Sequence, residues 1–191
     1  MSSKRVFIAL DISSEARDVC SSHIATLRQG FRDVRVAWER PEKLHITLKF
    51  LGNTDPRTLG ELGSSLRAIA GRHDAFRLRM SHSGAFPSKH RPRVLWIGVE
   101  DISAATSALH GEIEDRCRQL GFEEEGRRFR PHVTIGRVRD AEKARELCEQ
   151  HLRTRIEPVE FDVSEIVIYE SRLQSTGSVY SPISKVSLKA A

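Results

Sequence analysis

His45-Ile46-Thr47-Leu48 and His132-Val133-Thr134-Ile135 spell one pattern, histidine, apolar, threonine, apolar, once in each half of the chain. Both stretches are β-prone. In extended backbone, residues i and i+2 share a face, so each segment sets an imidazole beside a hydroxyl while its apolar residues enter the core. Two imidazoles facing across a groove can divide acid and base work near neutrality, one unprotonated and the other carrying a proton. In-line cleavage of a phosphate ester asks for that division. A base takes the proton of the attacking water and an acid protonates the departing oxygen, from opposite sides of phosphorus. Thr47 and Thr134 are the donors expected for the non-bridging oxygens, each contributing on the order of 1 to 3 kcal/mol. The chemistry calls for no metal and no organic cofactor.

The elements that must position these residues are readable from periodicity. Residues 6–10 form an unbroken apolar run, as in a buried strand. Asp11 and Ser13 can then cap a helix carrying Ala16, Val19, Cys20, His23 and Leu27, ended by Gly30. A strand is expected at 44–51, closed by Gly52, with Asn53 to Pro56 as the entry to a helix bearing Leu59, Leu62, Leu66 and Ile69. Phe76, Leu78 and Met80 alternate like a half-buried strand, and the turn-rich stretch 81–92 reads as the longest loop, able to cover a cleft. A strand at 94–99 precedes a helix with Ile102, Ala105, Leu109, Ile113, Cys117 and Leu120 on one face. The second histidine motif is followed by a helix from Asp140, and two strands, near 159–169 and 179–188, finish the chain. Each motif is thus followed by a turn and a helix, as two equivalent lobes would show. Strands and helices in this order mean one or two sheets with helices outside.

Composition bounds the partners. With 39% hydrophobic and 30% charged residues in 191, the chain falls outside collagen-like, low-complexity and membrane-spanning classes. No apolar run approaches the ~20 residues that cross a bilayer. The basic opening 1–5 is followed by an apolar run too short for a signal-peptide core. The net charge of +5, carried mostly by arginine, suits a phosphate-bearing partner. Cys20, Cys117 and Cys148 are odd in number and form no metal or disulfide spacing, which fits a reducing cytoplasm. Without a Gly, Pro and Ser-rich linker, residues 1–191 are expected to form one bilobal domain, acting as a monomer with no membrane partner.

Beyond the two histidine motifs, the chain carries Arg5-Val6-Phe7-Ile8-Ala9-Leu10, Leu44-His45-Ile46-Thr47-Leu48-Lys49-Phe50-Leu51-Gly52, Pro92-Arg93-Val94-Leu95-Trp96-Ile97-Gly98 and Arg130-Pro131-His132-Val133-Thr134-Ile135-Gly136-Arg137. Ser171-Arg172-Leu173, Gly177 and Tyr180 follow near the end. In this order the set resembles the two-histidine phosphoesterases, and within them the RNA 2′,3′-cyclic phosphodiesterases historically called 2′-5′ RNA ligases. The resemblance implies a bilobal α+β fold with two antiparallel sheets lining a central cleft. It also implies hydrolysis of an RNA 2′,3′-cyclic phosphate end to a 2′-phosphomonoester, with weak reversible 2′-5′ ligation. By position, it makes His45 the proton donor to the 3′ oxygen and His132 the proton acceptor toward water. Strand geometry alone leaves those two roles interchangeable.

The resemblance also places Arg137 near the phosphate. Simple alternation turns it off the catalytic face, unless a bulge or strand end at Gly136 brings it round. Alternation likewise points Phe50 into the core, favouring packing over base stacking. His23, His73, His82, His90, His110 and His151 match no repeated context and read as structural or solvated. Arg91, Arg93, Arg127, Arg128 and Arg130 read as a solvated surface in preference to an RNA guide. Two other functions remain open: turnover of small cyclic nucleotides or ADP-ribose cyclic phosphate, and a non-catalytic RNA-end binding module.

Overall fold

The apolar run near the start forms β1 (Lys4–Asp11), and Ser13 caps the helix that follows, its Oγ accepting from Ala16 N at 3.1 Å. The computed structural model describes residues 2–101, 103–175 and 177–190, so Ile102 of the expected helix stripe lies outside the described residues. After β1 come α1 (Ser14–Gly30), β2 (Val36–Trp38), β3 (His45–Thr54), α2 (Pro56–Ala70), β4 (Phe76–Phe86) and β5 (Val94–Glu100). The chain continues through α3 (Ala105–Gln119), β6 (His132–Val138), α4 (Arg145–Arg153), β7 (Val159–Val163), β8 (Glu165–Gln174) and β9 (Gly177–Ser187).

The strands run in the order β7-β4-β5-β6-β3-β1-β8-β9, with β2 paired to β6. The order is a palindrome of roles. β3 and β6 carry the two motifs at the centre, β1 and β5 flank them, then β8 and β4, then β9 and β7. The two antiparallel halves pair where Ile46 lies opposite Val133, the apolar residue next to each histidine. Helices cover the outside of both halves. α1 packs with α4 against β7 and β4, whereas α2 packs with α3 behind β3, β8 and β9. Each helix pair therefore draws one member from each half of the sequence, which ties the lobes together. Ile8, Leu10, Ile46 and Ile168 of one half, and Leu78, Leu95, Ile97 and Val133 of the other, are all at most 1% exposed beneath the helices.

Three expectations need correction. The stretch 81–92 is strand in its first half, because β4 runs on to Phe86 against β5, and the connection that remains, residues 87–93, contributes none of the residues lining the cleft pocket. Small side chains there, such as Ser83 and Gly84, imitate turn composition; Gly84 in fact makes room for the Trp96 ring, which an added Cβ would strike. Asn53 and Thr54 stay in β3, opposite Arg5 and Lys4, so α2 begins at its cap Asp55, whose carboxylate accepts from Arg57 N and Thr58 N. Asp140 caps a turn through Glu142 N at 3.2 Å, and α4 itself starts at Arg145. β2 was not anticipated at all, since three residues carry no usable period.

Candidate active site

The central crossing fixes where the two motifs look. With Ile46 opposite Val133 in an antiparallel pair, His45 falls opposite Thr134 and Thr47 opposite His132. All four point to the face away from the buried Ile46 and Val133, and all four are half-buried there. Each histidine thus faces the other motif's threonine, and the two histidines are diagonal neighbours, a spacing of roughly 7–8 Å in a regular ladder. A tetrahedral phosphate fits between side chains so arranged.

Both strands are bulged at the same place. Ile8 pairs with Lys49 and Ala9 with Thr47, which leaves Leu48 as the extra residue; Leu95 pairs with Gly136 and Trp96 with Thr134, which leaves Ile135 extra. An extra residue reverses the alternation beyond it. Lys49 and Gly136 consequently face inward, while Phe50 and Arg137 emerge on the cleft side with the histidines. For Arg137 this is the route that the sequence left open. For Phe50 it overturns the expectation of core packing: the ring is 58% exposed. Gly136 is required by the turn-in, because a Cβ there would lie 2.9 Å from both Val36 and Trp38.

The imidazoles are oriented by matching backbone carbonyls. His45 Nδ1 lies 2.6 Å from Lys43 O, and His132 Nδ1 lies 2.8 Å from Arg130 O, in each case two residues before the histidine. A carbonyl only accepts, so both rings carry their proton on Nδ1 and turn Nε2 toward the cleft. His45 Nε2 also meets Thr47 Oγ1 at 3.0 Å. Aromatic rings back both imidazoles: Phe7 stacks on His45 at 4.9 Å, and Phe86 and Trp96 lie 5.1 and 5.9 Å from His132. Burial outweighs the carbonyl bond and pushes His45 down from 6.5 to about 4; burial likewise lowers His132. In the free protein both rings are therefore neutral at pH 7. An anion between them reverses the balance by favouring imidazolium.

On the His132 side the cleft opens into a pocket of about 530 Å³. Its walls include Thr47, Phe50, Phe86, Phe129, Arg130 and His132. Arg127 and Arg128 also line it, so these arginines belong to the site and not merely to a solvated surface, whereas Arg91 and Arg93 are exposed outside it. His110, expected to be structural, stacks on Phe129 at 3.9 Å and forms part of the same wall. On the His45 side stand Tyr180, 5.5 Å from the His45 ring, and Arg137, whose Nε is 3.7 Å from Glu39. The carbonyl anchors, Glu39, Phe86 and Phe129 were missed. The anchors leave no side-chain signal, although their common offset from each histidine is visible once the repeat is aligned.

This fold and this pair of strands define a two-lobed protein built around duplicated His-x-Thr segments. Residues 16–174 match the 2'-5' RNA ligase superfamily, and the chain belongs to that family. A Thermotoga maritima protein named RNA 2',3'-cyclic phosphodiesterase is 34% identical over 92% of this chain and 91% of its own length. A Geobacillus stearothermophilus protein of the same name is 32% identical over 92% of this chain, which spans 55% of that longer protein. Among solved structures, E. coli LigT complexed with 3'-AMP superposes with a TM-score of 0.72 at 24% identity, covering 97% of this chain and 98% of that one, a likeness of fold.

Proposed function

We propose that this protein opens the 2′,3′-cyclic phosphate at the end of an RNA to a 2′-phosphomonoester, with His45 protonating the departing 3′ oxygen and His132 taking the proton of the attacking water. The observation that carries this reading is the pair of motifs on one face, each Nδ1 held by a carbonyl and each Nε2 turned to the cleft. The names of its relatives point to the same reaction. Thr47 and Thr134 donate to the non-bridging oxygens, and Arg137, released onto the cleft by its bulge, offsets the phosphate charge. The pocket walled by Phe50 and Arg130 takes the terminal nucleobase between an aromatic face and a guanidinium plane.

The anionic substrate itself prepares the acid. Its charge raises the imidazole that burial has depressed, so His45 acquires its proton as the complex forms. Acid and base both come from residues 1–191 of a single chain, so the reaction asks for neither a second copy nor a metal. With the 5′-hydroxyl of a second RNA in place of water, the same pair would open the cyclic phosphate weakly into a 2′-5′ phosphodiester: His132 takes the hydroxyl proton, the new O–P bond forms, and the 3′ oxygen leaves with a proton from His45. The three cysteines are unpaired and buried, which suits a reducing cytoplasm.

The test is RNA ending in a cyclic phosphate, incubated with the protein in EDTA and analysed for the position of the phosphate. A 2′-phosphate is expected. A 3′-phosphate, or no turnover by folded protein, overturns the proposal, the latter in favour of an RNA-end binding module. Faster turnover of a free cyclic mononucleotide than of RNA would move the substrate to small cyclic nucleotides.

A further inference from the structure

A second basic tract lies on the flank opposite the nucleobase pocket. α1 and β2 enclose a groove of about 1180 Å³ lined by Arg28, Arg32, Arg35, Arg40 and Arg139, with Trp38 on its wall. All five guanidinium groups belong to exposed residues, and none is in an ion pair among the described residues. Their situation differs from that of ten other arginines, each within reach of a carboxylate. Glu39 is the one carboxylate among the groove's lining residues, and it is already turned to Arg137.

The groove leads to the reacting centre. Arg40 also lines a small pocket of about 190 Å³ with Lys43 and Tyr180. Lys43 sits over the Tyr180 ring at 5.6 Å, Tyr180 lies against His45, and Lys43 O holds His45 Nδ1. Basic side chains therefore mark the route from the far end of α1 to the His45 side of the cleft, with Glu39 and Glu42 the acidic residues among those lining it, while Arg127, Arg128 and Arg130 occupy the His132 side.

We infer that the α1–β2 groove binds the phosphate backbone of the substrate RNA beyond its terminal nucleotide, so that the RNA is held on both sides of the reacting phosphorus. This rests on the reading of the cleft as a site for RNA ends. Uncompensated arginines in a groove meet a polyanion by counterion release, a sequence-independent attraction. The bland alternative is that arginines at β2, a three-residue edge strand, keep other strands from pairing with it. That function needs charge but no groove and no continuity with His45.

The experiment compares the R32Q/R35Q variant with the unsubstituted protein on two substrates, a cyclic mononucleotide and an RNA hairpin ending in the same cyclic phosphate, over a range of salt. The expected result is an approximately 10-fold fall in kcat/KM for the hairpin, a salt slope shallower by about 1 to 2, and unchanged mononucleotide turnover. Equal hairpin kinetics for the two proteins would overturn the inference, and so would a parallel loss on both substrates, which reports a structural defect. If the unsubstituted protein turns over neither substrate, the reading of the cleft fails instead. Fluorescence anisotropy with a labelled hairpin then still tests the groove, where equal affinity of variant and unsubstituted protein counts against it.

Discussion

At the scale of single residues, function depends on two imidazoles that the fold keeps neutral and the substrate charges. Replacing His45 or His132 by alanine is expected to lower kcat at least ~100-fold while leaving the melting temperature close to that of the unsubstituted protein; a loss below tenfold in both would contradict the assignment. Because burial depresses both rings in the free protein, the maximum of kcat/KM falls on the acid side of pH 6.5. The bound anion raises both, so the maximum of kcat lies at higher pH. Coincident optima would show that substrate charge does not tune the acid. Phe50 gives a separate test. F50A is expected to raise KM roughly 10-fold through lost stacking without changing stability, since the ring is 58% exposed; a lowered melting temperature would return Phe50 to the core.

At the scale of elements, the bulges decide what the strands present. Turning inward at the first bulge, Lys49 has its side chain 3% exposed and pairs with Glu114 of α3 at 2.5 Å, while also donating to Glu123 O. Glu114 in turn accepts from Glu125 N, so this ion pair fastens the segment that carries Arg127, Arg128 and Arg130 to the back of β3. Lys49→Met is expected to cost about 3–5 kcal/mol in chemical denaturation, because Glu114 is left buried without its cation; a cost under 1 kcal/mol would show that the pair is dispensable. The histidines, threonines, flanking strands and α1 to α3 were legible in the sequence because each rests on a strong local period or cap. Phe50 was not, because a bulge at Leu48, two residues upstream, inverts a parity that alternation assumes constant. Strand 81–86 was hidden by its Ser and Gly content, of which Gly84 makes the space that Trp96 needs, and Lys49 resembled an ordinary surface lysine until α3 was seen behind it.

At the scale of the whole molecule, the two halves are joined by crossed helices and by buried imidazoles as well as by the central strands. His151 Nε2 is 3.0 Å from Gly84 O, so that nitrogen donates; His23 Nε2 then donates to His151 Nδ1 across 2.8 Å. This arrangement holds α1 to α4 with both rings neutral. Burial, and next the neighbouring His151, lower His23 from 6.5 to about 4, and burial lowers His151. With His45 and His132 also depressed, the unfolded chain takes up protons before the folded one does as pH falls below 6.5. Stability should therefore be fully present above about pH 6.5 and decline toward pH 4. Melting temperatures that hold steady or rise over that window would contradict the sign. The crossed helices and imidazoles serve the one arrangement that neither half could make alone, two rings on one anion. Nitrogen NMR of the histidines during titration with a nucleoside 2′-phosphate reads that arrangement directly. The Nε2 signals of His45 and His132 are expected to move together, at one equivalent and with a common dissociation constant, while His23 and His151 stay still; a response from only one of the two cleft histidines, or from each with a different constant, would contradict a shared anion site.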